Sequence, residues 1–257
     1  RGLVGSEMCI RDSVCISSQV GCRMGCTFCA STLTGLTRNL TAGEMLSQIY
    51  QIQKDTKERV SNIIVMGMGE PLDNYEELLR FIKLVSCEKG IGISQRNITV
   101  STCGLVDKIR ILADEKLQIT LAISLHAPND EIRRQTMPIA NRYTIGEIIQ
   151  ACKYYFDKTG RRITFEYSMI RGVNDKEEHA KELAGRLSGL NCHINLIPLN
   201  EVKERNCYRS TKEDIEKFKT ILEKYRKTVT IRREMGSDID AACGQLRKKF
   251  LTKNGRN

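Results

Sequence analysis

Three cysteines near the start of the chain are spaced for metal chemistry. Cys22, Cys26 and Cys29 stand within eight residues at the spacing C-x3-C-x2-C, and no fourth cysteine or histidine follows nearby. A structural zinc ion takes four closed tetrahedral ligands, commonly from two C-x2-C pairs. An iron–sulfur cluster held by three thiolates instead leaves one iron open. The spacing therefore predicts a [4Fe-4S] cluster whose free iron binds a substrate.

The elements around this motif follow an α/β pattern. From Val14 onward, apolar runs of strand length alternate with amphipathic helical stretches, which is typical of βα units around a parallel sheet. The candidate strands are residues 15–19, 60–66, 97–101, 118–125, 162–170 and 192–197, with a short apolar run at 228–231. The candidate helices are residues 42–53, 74–85, 106–113, 145–157, 176–187 and 211–225. Thr41 begins a capping box at the first helix, and Asp73 or Asn74 is the expected cap of the second.

Small or polar residues follow the predicted strands, where parallel sheets and barrels bind ligands. They occupy positions 67–71, 101–102, 124–126 and 198–200. The glycine-rich turn at 67–70 lets backbone and a carboxylate approach a ligand closely, although a plain strand-to-helix turn would look the same. We expect these residues to share one mouth of the sheet.

Two further cysteines, Cys15 and Cys243, stand out by their surroundings. Cys15 lies seven residues before the three-cysteine motif, and Cys243 lies within the segment DIDAACGQL at 238–246. Taken singly, each is better interpreted as a small buried hydrophobe. Taken together with their neighbours, they are candidates for a reacting pair. The other cysteines are interpreted as structural or incidental, and His179 and His193 are assigned no role.

Composition limits the class of protein. The chain has 257 residues, 40% of them hydrophobic, which suffices for one sizeable core. Its eleven cysteines are spread through helix and strand patterns, which favours reduced thiols over a disulfide scaffold. No secretory signal is apparent, and apolar runs such as 119–125 are far shorter than a membrane span. We therefore expect a cytoplasmic protein without a membrane partner.

The net charge of +10 is concentrated toward the end of the chain. Residues 201–257 hold 16 Lys plus Arg against nine Asp plus Glu. A basic surface of this size suits a polyanion such as RNA, because neutralising phosphates releases counterions. A solvated, lysine-rich helix face at 212–227 would give the same count, so charge alone leaves both interpretations open.

The motifs resemble a known family. C-x3-C-x2-C with Phe28 before its last cysteine resembles the signature of radical S-adenosylmethionine (SAM) enzymes. From Val14 to Leu246 the chain is similar to bacterial dual-specificity RNA (adenine carbon-2) methyltransferases. The segments that carry this resemblance are SSQVGC at 17–22, RNLT at 38–41, MGMGEP at 66–71, LAISLHAPND at 121–130, MPI at 137–139, GVND at 172–175, NLIPLN at 195–200, and IRR at 231–233 through 246.

The resemblance implies an incomplete (β/α)6 barrel that methylates adenosine in the peptidyl-transferase loop of 23S ribosomal RNA and beside the tRNA anticodon. It implies a cluster on the three motif cysteines, an electron donor such as flavodoxin or ferredoxin, and a monomer. The positions that match the family's SAM contacts are Gly69, Glu70, Ser101, Ser124, Leu125, His126 and Asn200.

The resemblance also implies a mechanism that uses two SAM molecules per turnover. Adenine carbon 2 is electron-poor and cannot attack the sulfonium methyl directly, whereas a thiolate can. Cys243 would take a methyl group from the first SAM. A deoxyadenosyl radical from the second would abstract hydrogen from that methyl group, and the resulting methylene radical would add to carbon 2. Cys15 would then attack the Cys243 sulfur, forming a transient disulfide and freeing the methylated base.

Residues 1–13 show no strand or helix period and are interpreted as a non-native head. Residues 14–250 are the expected methyltransferase core and 251–257 a basic tail. The family's N-terminal helical domain, which helps bind RNA, has no counterpart here, so we expect that the natural start lies upstream. Three alternatives stay open: an adenine carbon-8 methyltransferase of the antibiotic-resistance type, a non-catalytic zinc-dependent RNA-binding protein, and a radical enzyme of another class, such as a glycyl-radical activase.

Overall fold

Seven parallel strands form one curled sheet. A computed structural model describes residues 13–202 and 204–232. The sheet has the order β1-β4-β5-β6-β7-β8-β9 and every neighbouring pair is parallel, while β2 and β3 form a separate antiparallel ribbon. The strands are β1 Ser13–Cys15, β2 Gln19–Gly21, β3 Leu36–Asn39, β4 Asn62–Val65, β5 Ile98–Thr102, β6 Thr120–Ser124, β7 Ile163–Met169, β8 Cys192–Pro198 and β9 Thr228–Ile231.

Helices connect successive strands of the main sheet. They are α1 Ala42–Thr56, α2 Tyr75–Val85, α3 Val106–Asp114, α4 Asp130–Thr136, α5 Ile145–Thr159, α6 Glu177–Arg186 and α7 Lys212–Lys224. Apolar residues of the central strands, such as Val100, Leu121, Phe165 and Leu196, are buried in one core. β1 and β9 lie at opposite edges, so within the described residues the sheet is an open half-barrel. The predicted incomplete (β/α)6 barrel is confirmed.

None of the helices in the described part of the chain is both long and apolar enough to cross a bilayer.

The structure differs from the predicted elements at the start of the sheet and at one short helix. The predicted strand 15–19 is split, because β1 ends at Cys15 and the chain turns before β2 begins at Gln19. Pairing decides this: β1 joins the main sheet through β4, whereas β2 pairs with β3. The helix α4, with seven residues, was missed because it is too short for an amphipathic period to be read. Ser13, predicted to belong to the non-native head, is the first residue of β1.

One of the two predicted helix caps is confirmed. Thr41 forms the capping box of α1 with Glu44. The side chain of Asn74 does not cap α2; its Nδ2 instead donates to the Ser18 carbonyl at 2.9 Å and the Leu40 carbonyl at 2.8 Å. Asn74 therefore connects the start of α2 by hydrogen bonds to the segments before β2 and after β3, which flank the three-cysteine motif.

Candidate active site

The three motif cysteines lie on one loop, residues 22–29, here named the cysteine loop. The loop follows β2 and ends at a short 3-10 helix, Ala30–Thr32. The Thr32 hydroxyl closes it, because it is 3.0 Å from the Cys26 carbonyl and 2.9 Å from the Cys29 carbonyl. The Cys22 amide donates to the carbonyl of Gly35, just before β3, at 3.0 Å. The loop conformation is therefore held by backbone contacts that do not use the thiols.

Two glycines permit the close packing around this loop. Gly21 has φ +81°, and a Cβ there would lie 1.8 Å from the Gly35 carbonyl oxygen. Gly69 has φ +111°, and a Cβ there would lie 2.6 Å from Cβ of Gln19. Any larger residue would have to move backbone at the first position and Gln19 at the second. The turn after β4 thus lies directly against the segment that leads into the cysteine loop.

A cavity of about 220 Å³ opens at the carboxyl ends of the strands, between the sheet and the cysteine loop. All three motif cysteines line it, together with five of the predicted SAM contacts, Gly69, Glu70, Ser101, Ser124 and His126. The Oγ atoms of Ser101 and Ser124, from neighbouring strands, lie 3.3 Å apart. The remaining lining residues are Met24, Phe28, Thr32, Val65, Met66, Gly67, Pro71, Thr102, Cys103, Met137, Glu166, Ser168, Ile197 and Arg232.

Three predicted site residues do not line this cavity. Leu125 is buried, and its amide donates to the Glu166 carbonyl at 3.1 Å. Asn200 is exposed, two residues beyond the end of β8. Cys15 is half-buried at the end of β1, and the next residue, Ile16, bonds through its carbonyl to the amide of cavity-lining Gly67 at 2.9 Å. Cys15 therefore lies beside the cavity and not in its wall.

Glu70 is a buried carboxylate at the cavity wall. Its Oε1 accepts from the Leu72 amide at 3.0 Å and its Oε2 from the Cys103 amide at 2.7 Å. Its own amide donates to Oε1 of Gln19 at 2.8 Å, which joins the turn after β4 to β2. Burial raises the pKa of the Glu70 carboxyl, and the hydrogen bonds from Cys103 and its neighbours oppose that rise. The carboxylate is thus fixed in place, and burial would favour a cationic ligand beside it.

His126 is a buried, neutral ring at the end of β6. Its Nδ1 accepts from the Ser168 amide at 2.9 Å, so the proton of the neutral ring lies on Nε2. Burial, assisted by the charge of Arg133, lowers the pKa of His126 to about 3. Phe28 of the cysteine loop contacts the ring edge-on, with centroids 5.0 Å apart. The ring can therefore pack and donate one hydrogen bond in the cavity, but it does not supply a charge at neutral pH.

The buried side chain of Asn174 fixes the backbone around His126 and Ser168. It is fully buried: its Nδ2 donates to the carbonyls of His126 and Ser168, each at 2.7 Å, and its Oδ1 accepts from the Ile170 amide at 2.8 Å. His126 has φ +54°, a conformation that a side chain rarely adopts without such support.

Asn174→Ala is expected to lower the free energy of unfolding by about 3 kcal/mol, because three buried backbone groups lose their partner at about 1 kcal/mol each. Chemical denaturation of the cofactor-free protein measures this loss. Asn141→Ala, at an exposed position, is the matched control and should change stability by less than about 0.5 kcal/mol. Equal effects of the two substitutions would contradict the assignment.

The cysteine thiols have a metal-free protonation state set by burial. Burial raises the pKa of Cys22 to about 11, and that of Cys26 rises further for the same reason. Both thiols are therefore protonated at neutral pH until a metal replaces the proton. Three thiols of one loop on one cavity wall are a donor set that fits an iron–sulfur cluster. Among the described residues, no three His, Cys, Asp or Glu side chains are grouped as ligands of a single ion.

The predicted reacting pair of cysteines is only partly within the described structure. Cys243 lies outside the described residues. No disulfide joins any two of the described cysteines, so the expected disulfide is not supported. A transient bond between Cys15 and Cys243 stays a prediction.

A buried carboxylate on β7 was missed by the sequence analysis. Glu166 lines the cavity, accepts from Nδ2 of Asn195 at 2.9 Å, and shares the cavity wall with Arg232. Thr230 donates to Oδ1 of Asn195 at 3.1 Å, which fixes the amide orientation. The available signal was a carboxylate in the middle of the predicted strand 162–170, between two aromatic residues, Phe165 and Tyr167. Burial raises the pKa of Glu166, with the Asn195 hydrogen bond and the charge of Arg232 acting in the opposite direction.

This raised pKa predicts a pH-dependent cost to folding. Below about pH 4.3, the ordinary glutamate value, the carboxyl is protonated both folded and unfolded. As the pH rises toward the higher folded pKa, the unfolded chain ionises more readily, so the native state loses stability. Glu166→Gln should abolish that loss and become more stable than the parent as pH rises, with no such gain at acid pH. Denaturation of the cofactor-free protein between pH 4 and 8 measures the difference.

The control for this experiment is Glu131→Gln, an exposed carboxylate on α4. A plot of its free energy of unfolding against pH should run parallel to that of the parent protein across the same range. A Glu166→Gln curve that is also parallel to the parent would show that the folded and unfolded pKa values are alike.

The half-barrel with a three-cysteine loop at its mouth defines the class of protein. The Radical SAM superfamily model matches residues 16–184. A radical SAM methyltransferase from Sphaerobacter thermophilus superposes with a TM-score of 0.87 at 49% identity, covering 91% of this chain and 69% of that one. SuiB of Streptococcus suis, whose structure was solved with S-adenosylmethionine, shares the fold alone, with a TM-score of 0.65 at 16% identity over 86% of this chain and 50% of that one. The chain is a member of the radical SAM superfamily.

Comparison with curated proteins identifies the family within this superfamily. Two proteins named "Probable dual-specificity RNA methyltransferase RlmN" are 62% identical over 242 residues, in Lachnoclostridium phytofermentans, and 64% identical over 240 residues, in Lachnospira eligens. They match 94% and 93% of this chain, which in turn spans 68% and 69% of their lengths. The chain belongs to the RlmN family of radical SAM methyltransferases.

Proposed function

We propose that this protein methylates carbon 2 of adenosine in the peptidyl-transferase loop of 23S ribosomal RNA and beside the anticodon of tRNA. The observation that carries the proposal is the cavity in which Cys22, Cys26 and Cys29 face Glu70 and the strand-end residues, in a chain of this family. The RNA partners follow from the name of the relatives and agree with the net charge of +10. The protein would work in the cytoplasm as a monomer, with flavodoxin or ferredoxin as its electron donor.

The cofactor set is a [4Fe-4S] cluster on the three motif cysteines and S-adenosylmethionine, two molecules per turnover. When bound, the cluster and SAM supply a one-electron reduction and a hydrogen-abstracting radical. Glu70 is suited to the methionyl ammonium because it is a buried carboxylate, and Ser101 and Ser124 offer hydroxyls to polar groups of the ligand. Gly69, Leu125, His126 and Asn200 complete the proposed contact set. Leu125 and Asn200 do not line the cavity, so this proposal requires both to move toward the ligand when it binds.

Two cysteines would form the covalent intermediates of the reaction. The Cys243 thiolate would accept the sulfonium methyl group, lose one hydrogen atom from it and form a carbon–carbon bond to adenine carbon 2, while carbon 2 gives up its proton and one electron returns to the oxidised electron donor. The Cys15 thiolate would then attack the Cys243 sulfur, so that the sulfur–carbon bond breaks, the carbon attached to adenine takes up a proton to become the methyl group, and a disulfide forms. A thiol reductant would return both residues to thiols. The position of Cys15 beside the cavity supports this role.

The same proposal divides the chain. Residues 14–250 would be the methyltransferase core, joined by Ser13 because it begins β1, with residues 1–12 a non-native head and 251–257 a basic tail.

The test is direct analysis of the product. The protein is reconstituted anaerobically with iron and sulfide, incubated with reductant, SAM and unmodified ribosomal RNA or tRNA, and the RNA is digested to nucleosides for mass spectrometry. We expect 2-methyladenosine, and none when reductant is omitted. A carbon-8 product would replace the proposal with the resistance-type activity, and no methyladenosine from cluster-loaded protein would refute RNA methylation by this chain.

A further inference from the structure

Arg133 on α4 is a buried cation whose hydrogen bonds do not neutralise it. Its side chain is 0% exposed. The guanidinium donates to the Cys103 carbonyl at 2.6 Å and the Leu125 carbonyl at 3.2 Å, with longer contacts of 3.5 Å to the carbonyls of Ser124 and Tyr143. All four acceptors are neutral, so these bonds satisfy N–H groups and leave the positive charge in place. An arginine stays charged even when buried.

This charge lies next to the cysteine loop. The Thr27 amide of the loop donates to the Thr136 carbonyl at the end of α4, 2.9 Å away. Cys26, Cys103 and Met137 pack as one apolar cluster, and all three line the cavity. The guanidinium is bonded to the backbone of Cys103 and acts electrostatically on the thiol of Cys26. Arg133 thus lies behind the cavity wall, bonded to the backbone of residues that line it.

A buried charge is costly unless an opposite charge accompanies it. The positive charge of Arg133 acts on the thiols of Cys26 and Cys103 and on the half-buried carboxyl of Asp130, which accepts from the Ile145 amide at 2.7 Å. Thiolates of the cysteine loop that bind iron would place further negative charge on the side of the guanidinium where Cys26 packs against Cys103. The buried guanidinium therefore suits an anionic cluster at this wall of the cavity.

We propose that Arg133 is a positioning residue that sets the reduction potential of the cluster held by Cys22, Cys26 and Cys29. Reduction adds one electron, taken from an external low-potential donor, and increases the negative charge of the cluster by one. A fixed positive charge in a low-dielectric site stabilises that extra charge and raises the potential. The inference rests on the proposed function, because it needs the cluster to occupy the cysteine loop.

The test compares three variants of the full chain after anaerobic reconstitution. Arg133→Gln removes the charge, Arg133→Lys keeps it while losing the fork of donors, and Arg134→Gln removes the adjacent exposed charge on the same helix. The midpoint potential is measured by dithionite titration, followed by the electron paramagnetic resonance signal of the reduced cluster. We expect Arg133→Gln to shift the potential to more negative values. Arg134→Gln should match the parent, because solvent screens an exposed charge.

Arg133→Lys separates charge from structure. It should melt at a lower temperature than the parent, because one ammonium cannot reach the same carbonyls, yet keep a potential close to that of the parent. If Arg133→Gln does not fold, the lysine variant decides alone: a potential that falls with its melting temperature overturns the proposal. An unchanged potential in folded Arg133→Gln also overturns it. Failure of the parent protein to bind iron and sulfide would instead refute the proposed function.

Discussion

Cys26→Ser is expected to leave the protein without a stable cluster and without methyltransferase activity. Cys26 is a buried thiol in the middle of the cysteine loop, on the cavity wall. Its raised pKa means that only a metal can hold it as a thiolate in this environment. A serine hydroxyl is a harder and far less acidic donor than a thiol. One of the three irons that the cysteine loop would hold therefore loses its protein ligand. Iron and acid-labile sulfide should fall from about four each per chain to near zero.

Two matched controls make this result specific. Cys103→Ser changes a thiol that lines the same cavity and packs against Cys26, but that lies outside the three-cysteine motif. Cys87→Ser changes an exposed thiol. Both variants should retain iron and sulfide at the level of the parent. Loss of the cluster in Cys103→Ser, or its retention in Cys26→Ser, would show that the motif does not define the ligand set.

The sheet could be predicted from the sequence because its strands are short runs of mostly apolar and β-branched residues, with alternate residues buried in β5 and β8. The run at 97–101 is shifted by one residue from the observed β5, the run at 192–197 is one residue shorter than β8, and 228–231 coincides with β9. The first strand was predicted wrongly. Residues 15–19 contain no residue that marks where the chain leaves the main sheet and enters the β2–β3 ribbon. That boundary depends on a partner: β4 for β1 and β3 for β2.

The site could be predicted only where chemistry is encoded locally. The cysteine spacing and the glycine-rich turn at 67–70 are visible in the sequence, and both do line the cavity. Glu166 and Arg133 were not predicted, because their significance comes from burial and from contacts with Asn195 and with distant carbonyls. A helix of seven residues offers no pattern that would distinguish a buried Arg133 from an exposed Arg134. Such residues become recognisable only once the fold has placed them.

The second large effect is expected at the pair Cys15 and Cys243, where two alanine variants should fail in different ways. Cys243→Ala has no thiolate to accept a methyl group, so it should yield neither methylated protein nor methylated RNA. Cys15→Ala should still be methylated at Cys243 and should still form the bond to adenine. It lacks the thiol that breaks the sulfur–carbon bond, so the RNA should stay attached to the protein.

Denaturing gel electrophoresis with labelled RNA, followed by mass spectrometry of the peptide that contains Cys243, distinguishes the two outcomes. Both variants should keep the iron and sulfide content of the parent, because neither residue belongs to the cysteine loop. Cys207→Ala, which changes a half-buried thiol outside the proposed pair, should form product normally. A covalent adduct in Cys15→Ala that disappears in the double variant with Cys243→Ala would place both sulfurs on the reaction path. Free 2-methyladenosine from Cys15→Ala at the parent rate would show that release does not need Cys15, since some other nucleophile must then break the bond.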